Sequence, residues 1–191
     1  MPRGSAGAER VRPVAPQAPA QVADGARSAT DWRRFGTMLA FVALPVFVLD
    51  QSIKLYIVRH LQLFAQIELV PHWLAITYTL NSGAAFSLFA TLPSAVRGLI
   101  LDGLAAAAVV VLGVLLARGA RPPVISAAFA LIMGGAAGNL LDRVVRGRVV
   151  DFIYVHYYSW SYPVFNLADS AITVGVAIIL IHSVFSHDPE A

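Results

Sequence analysis

Four long apolar stretches dominate the pattern of hydrophobic and polar residues along the chain. They cover about residues 35–54, 94–117, 123–141 and 163–185. A helix needs roughly 20 mostly apolar residues to cross a bilayer, so the pattern predicts four membrane-spanning helices. Pro123 and Pro163 stand at predicted helix starts, where a missing N–H costs little. Pro45 lies inside the first helix, where lipid-embedded helices tolerate proline and can bend.

The links between the predicted helices differ in length and pattern. The link after residue 117 is short, whereas residues 55–93 and 142–162 form long links. Leu74–Leu80 alternates apolar and polar residues as a half-exposed strand does, and Ile67–Val70 is its predicted partner. The sequence therefore predicts an all-α integral membrane protein: a four-transmembrane-helix bundle with a small β-sheet on its extracytoplasmic face.

Residues 1–33 differ from everything that follows. They are rich in Ala, Pro, Arg and Gly and lack hydrophobic periodicity, which predicts a disordered tail. The first apolar stretch is long enough to span and is followed by no small-residue cleavage site, so we do not expect a secretory signal peptide. We expect one membrane domain over residues 34–187 and a short C-terminal tail over 188–191.

Composition supports a membrane protein over a soluble domain. Hydrophobic residues make up 58% of the chain and charged residues 13%, whereas soluble domains carry about a quarter of charged residues. A net charge of +3 with this hydropathy favours a membrane over nucleic acid as partner. The chain has no Cys, and its five His lack metal-ligand spacing, so we predict no disulfide, metal or cofactor.

Basic and aromatic residues predict the orientation in the membrane. Eight of the 14 basic residues fall in the tail and the short link, which favours a cytoplasmic location for both of these and for both termini. The aromatic residues typical of a membrane interface lie on the other side, in the long links and at their helix ends. These are Tyr56, Trp73, Tyr78, Tyr154, Tyr157, Tyr158, Trp160 and Tyr162.

Polar residues of the apolar stretches gather at one predicted membrane face. Ionisable residues inside a membrane are costly and usually functional. With the N-terminus inside, the first and third helices end at the outer face, and the second and fourth begin there. The residues that fall at this face are Asp50, Lys54, Asp102, Asn139, Asp142, Arg143, Asn166 and Asp169. We expect Asp102 to face Arg97 or water and to have no catalytic role.

Helical spacing groups these residues further. Asn139, Asp142 and Arg143 share one helix face, and Asp50 with Lys54 forms an i, i+4 pair that we expect to be stabilising. Gly134 and Gly138 form a small-xxx-small motif that favours close helix packing.

Two carboxylates, those of Asp151 and Asp169, suggest acid–base chemistry. Asp169 lies near a helix start, and Asp151 lies in the apolar stretch Val149–Ile153, a short strand or re-entrant segment. Two adjacent carboxylates share a proton, so they can activate water against an amide and protonate its nitrogen. The residues alone leave alternatives open: structural ion pairs with Arg143 or Arg148, a Ser–Lys peptidase using Lys54 with Ser82 or Ser87, and a transporter or scaffold.

Five motifs in order resemble those of lipoprotein signal peptidases (signal peptidase II), over about residues 35–185. They are Asp50–Lys54, Asn81–Ser87, Gly134–Arg143, Val149–Ile153 and Phe165–Asp169. The resemblance implies a bacterial inner-membrane aspartic endopeptidase. Such an enzyme removes signal peptides from prolipoproteins that bear a diacylglyceryl-Cys, cleaving before that Cys.

The resemblance also implies roles for individual residues. Asp151 and Asp169 match the catalytic pair, and Asp50 and Lys54 match a stabilising motif. The positions that match substrate-binding or supporting residues are Asn81, Asn139, Asp142, Arg143, Asn166 and Ala168. We further expect a monomer that works among membrane phospholipids and is sensitive to the cyclic peptide antibiotic globomycin.

Overall fold

The computed structural model describes residues 31–83, 93–118 and 121–186. Within these residues four helices are long and apolar enough to cross a membrane, as the sequence predicts. They are α1 (Trp32–His60), α2 (Ser94–Ala117), α3 (Pro123–Arg146) and α4 (Leu167–Phe185). Most of the predicted N-terminal tail and all of the C-terminal tail lie outside the described residues.

Helix α1 contains a wider turn near its middle. Two α-helical parts, Trp32–Met38 and Leu44–His60, flank a π-helical segment, Leu39–Ala43. Pro45 follows two residues after its end, and a proline inside a helix cannot donate to the carbonyl four residues earlier. The distortion expected at Pro45 therefore lies just before it, in the π-helical turn.

Two helices extend beyond their predicted bounds. Helix α1 begins at Trp32, inside the predicted tail, because the Asp31 carboxylate caps it by accepting a hydrogen bond from the Arg34 N–H at 3.0 Å. It continues past Lys54 to His60. Helix α3 continues to Arg146 and ends at Gly147, whose φ of 72° lies in the left-handed region that glycine favours.

Helix α4 begins at Leu167, so the prediction that it begins at Pro163 is wrong. Asn166 caps the helix: its side chain accepts from the Asp169 N–H, and the Asp169 carboxylate accepts from the Asn166 N–H. Phe165 is extended instead and exchanges backbone hydrogen bonds with Ile153. The reciprocal cap satisfies free N–H groups of the first turn, which fixes the helix start there.

The strands form one antiparallel sheet in the order β1-β2-β3-β4. They are β1 (Gln66–Val70), β2 (Leu74–Asn81), β3 (Val149–Tyr157) and β4 (Trp160–Ser161). The predicted hairpin is thus confirmed, and the segment around Asp151 is a strand. Pairing of Thr79 with Asp151 and of Asn81 with Val149 brings two distant sequence motifs together. The rest of the Asn81–Ser87 motif, from residue 84, lies outside the described residues.

Helix α3 packs closely against α1 and α4 through glycines. Gly134 faces the backbone of Ala43 in α1, and Gly135 faces the carbonyl of Ala168 in α4. Gly138 lies against the Asp50 carboxylate and the Ala168 methyl group. The close approach at Gly134 and Gly138 brings α1 and α4 against α3 next to the Asp50 carboxylate.

We predict that Gly134→Ala destabilises the fold. An added Cβ would lie 2.5 Å from the Ala43 carbonyl oxygen, which belongs to backbone and cannot swing away. Overpacking of this kind costs about 1–3 kcal/mol, so the melting temperature in detergent should fall by several degrees. Gly103→Ala in α2 is the control, because a Cβ there meets no described atom within 4 Å. Equal melting temperatures of the two variants would contradict this account of the packing.

Candidate active site

Two carboxylates share a set of amide donors where β3 meets the start of α4. Asp151 accepts from Asn81 Nδ2 at 2.9 Å on Oδ2 and from Asn166 Nδ2 at 2.7 Å on Oδ1. Asp169 accepts from Asn139 Nδ2 at 2.8 Å on Oδ1 and from the Asn166 backbone N–H at 3.3 Å on Oδ2. Asn166 therefore binds both carboxylates and ties them together.

Asp151 is buried in a mainly apolar setting. It is 1% exposed and lies between Val150 and Phe152, which are also buried. This burial raises the pKa of Asp151 to about 7, and the negative charge of Asp169 adds to the rise, while the hydrogen bonds from Asn81 and Asn166 oppose it. Asp151 therefore keeps its proton in a substantial share of molecules near neutral pH.

A buried ion cluster lies next to this pair. The Lys54 ammonium is 2.8 Å from Asp50 Oδ2 and 2.9 Å from Asp142 Oδ2, and all three side chains are fully buried. Arg146, partly exposed, also pairs with Asp142. Burial of unpaired charge is strongly unfavourable, so the two carboxylates depend on their cations.

Both carboxylates of the cluster hold backbone next to the candidate pair. Asp50 Oδ1 accepts from the N–H of Ala168 at 3.0 Å, one residue before Asp169. Asp142 Oδ2 accepts from the N–H of Val150 at 3.1 Å, one residue before Asp151. The ion cluster thus fixes the chain beside each of the two acids.

Lys54 also sets the orientation of an amide. Its Nζ donates to Asn139 Oδ1 at 3.0 Å, and Asn166 Nδ2 donates to the same oxygen at 3.1 Å. With its oxygen held by two donors, Asn139 presents its Nδ2 to Asp169. The amide polarity therefore follows from the position of the ammonium.

A cavity of about 620 Å³ opens beside Asp169. Its polar wall includes Asn81, Asn139, Arg143 and Asp169, and most of the rest is lined by residues of α4 and of the segment just before it, residues 162–165. An apolar cavity with a few convergent polar groups is typical of a ligand or active site.

Arg143 pairs with Asp102, which the sequence did not predict. Arg143 Nε lies 2.6 Å from Asp102 Oδ1. Of the two predicted alternatives, Arg97 is therefore not the partner of Asp102, while contact with water agrees with a side chain that is 36% exposed. Arg97 instead donates from Nη2 to Ser82 Oγ at 3.2 Å. Five residues along a helix amount to a rotation of about 140°, so Arg97 and Asp102 point to different sides of α2.

The geometry favours the carboxylate pair over the alternatives. Lys54 is fully buried among Asp50, Asp142 and Asn139, and Ser82 contacts Arg97, so no Ser–Lys pair forms between them; Ser87 lies outside the described residues. In the described part of the chain neither Asp151 nor Asp169 forms an ion pair with an arginine. The same part contains no cluster of three His, Asp or Glu residues that could hold a metal.

Two residues of the network escaped the sequence predictions. Gln51 Nε2 donates to the Gly138 carbonyl at 3.0 Å and to Asp50 Oδ2 at 3.2 Å, and Arg146 donates to Asp142. The i, i+4 spacing of Asp142 and Arg146 is a signal that could have found the second contact. Nothing in the local pattern marks Gln51, because its partner Gly138 belongs to another helix.

A family model described as Signal peptidase (SPase) II matches residues 42–185. A lipoprotein signal peptidase of Pseudomonas putida is 42% identical over 165 residues, covering 82% of this chain and 94% of the relative. One of Yersinia enterocolitica is 38% identical over 152 residues, covering 79% and 89%.

Two solved structures, both described as bacterial membrane enzymes, share the fold. One has a TM-score of 0.68 at 27% identity and covers 85% of this chain and 99% of its own. The other has a TM-score of 0.67 at 29% identity and covers 82% and 94%.

We predict that Lys54→Met destabilises the protein far more than Arg146→Gln. The first change leaves two buried carboxylates without their shared cation, which costs about 3–5 kcal/mol. The second removes a partly exposed cation while Lys54 still pairs with Asp142, and such pairs contribute about 1 kcal/mol or less. Thermal unfolding in detergent measures both. A Lys54→Met protein that melts at the wild-type temperature would show that the cluster is not needed for the fold.

Proposed function

The chain belongs to the signal peptidase II family of aspartic peptidases, and from this premise we propose that Asp151 and Asp169 are its catalytic pair, cleaving signal peptides from prolipoproteins that carry a diacylglyceryl-Cys. The observation that carries the proposal is the pair itself. Two carboxylates are joined through Asn166, one nearly fully buried and the other lining the cavity.

As a member of this family with four membrane-capable helices, the chain is a multi-pass protein of the bacterial inner membrane. We propose that both termini are cytoplasmic and that the active site lies at the extracytoplasmic face. An even number of spans brings both termini to one side, and the basic tail and short link favour the cytoplasm for that side. The sheet, with its exposed Trp73, Tyr158 and Trp160, extends from the opposite helix ends.

The proposed reaction is direct attack by water. Asp169, which lines the cavity, takes a proton from the water molecule, and the water oxygen attacks the scissile carbonyl carbon. Asp151 holds the shared proton at neutral pH and gives it to the carbonyl oxygen. Asp169 then gives its proton to the leaving nitrogen while Asp151 takes a proton back from a hydroxyl of the tetrahedral intermediate. The C–N bond breaks, and the cut falls before the lipidated Cys. Each proton taken up is returned, so the pair ends as it began.

The substrate enters from the bilayer in this proposal. The apolar cavity suits a signal-peptide helix and acyl chains, while Asn81, Asn139 and Arg143 in its wall offer polar contacts near the pair. Asn166 supports the pair by its hydrogen bond to Asp151. Ala168 and Asp142 support the pair through the backbone: Ala168 N–H binds Asp50 beside Asp169, and Asp142 binds the Val150 N–H beside Asp151. One chain holds every part of this site, which supports a monomer working among phospholipids, with globomycin as a competing ligand of the same cavity.

We predict that Asp151→Asn and Asp169→Asn each abolish cleavage of a diacylglyceryl-modified prolipoprotein by the purified protein. Loss of a positioned acid or base lowers rates by about 10²–10⁴-fold. Glu68→Gln is the matched control, since Glu68 is an exposed acid of β1, and it should cleave at the wild-type rate. A well-folded Asp151 or Asp169 variant with unreduced activity would remove the pair from the mechanism.

The raised pKa of Asp151 predicts a pH dependence. A carboxyl with a pKa of about 7 loses its proton as the pH rises through 7, so kcat/KM should fall on the alkaline side. The hydrogen bond from Asn81 favours the charged form of Asp151 and lowers its pKa. Asn81→Ala should therefore move the alkaline limb to higher pH.

A control separates this limb from histidine titration. His156 is a buried histidine of the same strand as Asp151, and if Asp151 is the titrating group, His156→Gln should leave the limb in place. A limb that disappears in His156→Gln, or that stays unmoved in Asn81→Ala, would contradict the assignment to Asp151.

A further inference from the structure

The ion pair between Asp102 and Arg143 joins a residue outside the proposed catalytic site to one that lines the cavity. Asp102 lies on α2 and Arg143 on α3, and theirs is the one ion pair that α2 makes among the described residues. Elsewhere α2 packs on α3 by apolar contacts such as those of Leu116 and Met133. The pair therefore fixes one particular side chain of α3 from the neighbouring helix.

The geometry of the contact leaves most of the guanidinium available. Asp102 binds Arg143 through Nε, at 2.6 Å. A guanidinium has five N–H donors, and within the described part of the chain the four on Nη1 and Nη2 have no protein acceptor. Arg143 contributes to the cavity wall, whereas Asp102 does not. The carboxylate thus holds the side chain from the α2 side.

Without that hold the guanidinium would have competing partners. Arg143 follows Asn139 by four residues, so it lies about one turn, or about 6 Å, further along the same face of α3. Asn139 donates to Asp169, and the long arginine side chain could turn toward this carboxylate. An arginine bound there would withdraw its donors from the substrate, which would have to displace it on binding.

We propose that Asp102 is a positioning residue, which holds Arg143 at the cavity wall with its terminal N–H groups directed to peptide carbonyl oxygens of the substrate next to the scissile bond. The proposal rests on the proposed function for its substrate, and on the described contact for its geometry. Asp102 itself touches neither the substrate nor the catalytic pair.

The test measures steady-state cleavage of a diacylglyceryl-modified prolipoprotein by Asp102→Ala, Asp102→Asn and Asp102→Glu. We expect Asp102→Ala to raise KM about tenfold with kcat within about twofold, as for a lost binding contact. Asp102→Asn, which keeps the shape, should lie between Asp102→Ala and wild type, and Asp102→Glu should restore most of the loss. All three should melt near the wild-type temperature, because Asp102 is partly exposed. In an Arg143→Gln background, Asp102→Ala should add no further rise in KM.

A second measurement is independent of activity. In protein labelled with ¹⁵N-arginine, the Nε–H signal of Arg143, assigned by its loss in Arg143→Lys, should be slow to exchange in the wild type and fast in Asp102→Ala. Failure of the wild-type protein to cleave would refute the proposed function, while this signal would still decide whether Asp102 holds Arg143. The inference is overturned by an unchanged signal, by wild-type KM in Asp102→Ala, or by a KM increase that persists in the Arg143→Gln background.

Discussion

The structure depends on the pairing of one buried ammonium with two buried carboxylates. Lys54 pairs with Asp50 and Asp142, and neither carboxylate could remain charged and fully buried without a cation. Each carboxylate in turn binds the backbone N–H next to one of the two candidate acids. A single cation thereby joins α1, α3, β3 and α4, and it fixes the backbone beside both acids of the proposed catalytic pair.

Burial has opposite consequences for the two sets of acids. In the ion cluster every carboxylate has a cation, so burial strengthens the attraction and stiffens the bundle. Among the described residues Asp151 has amide donors but no cation in direct contact, so the same burial raises its pKa. One polar region at the end of a helix bundle therefore supplies both rigidity and acid–base chemistry.

The features that local pattern determines could be predicted from the sequence. The helices follow from four apolar stretches of membrane-spanning length, the β1–β2 hairpin from a period of two, and the Asp50–Lys54 pair from i, i+4 spacing. The catalytic assignment rests on the family resemblance. Contacts between distant segments could not be predicted in this way. The Asp102–Arg143 pair, the role of Gln51 and the start of α4 at Leu167 depend on which helices are neighbours and on backbone bonds between Phe165 and Ile153.

The central claim is that Asp151 and Asp169 hold a single proton at the pH at which the enzyme works. Infrared difference spectroscopy of protein labelled with ¹³C-aspartate observes protonated carboxyl groups directly. The account predicts one protonated aspartate band at pH 6 that fades as the pH rises through about 7 and is missing from Asp151→Asn. A band that survives in Asp151→Asn, or no protonated aspartate at pH 6, would contradict it.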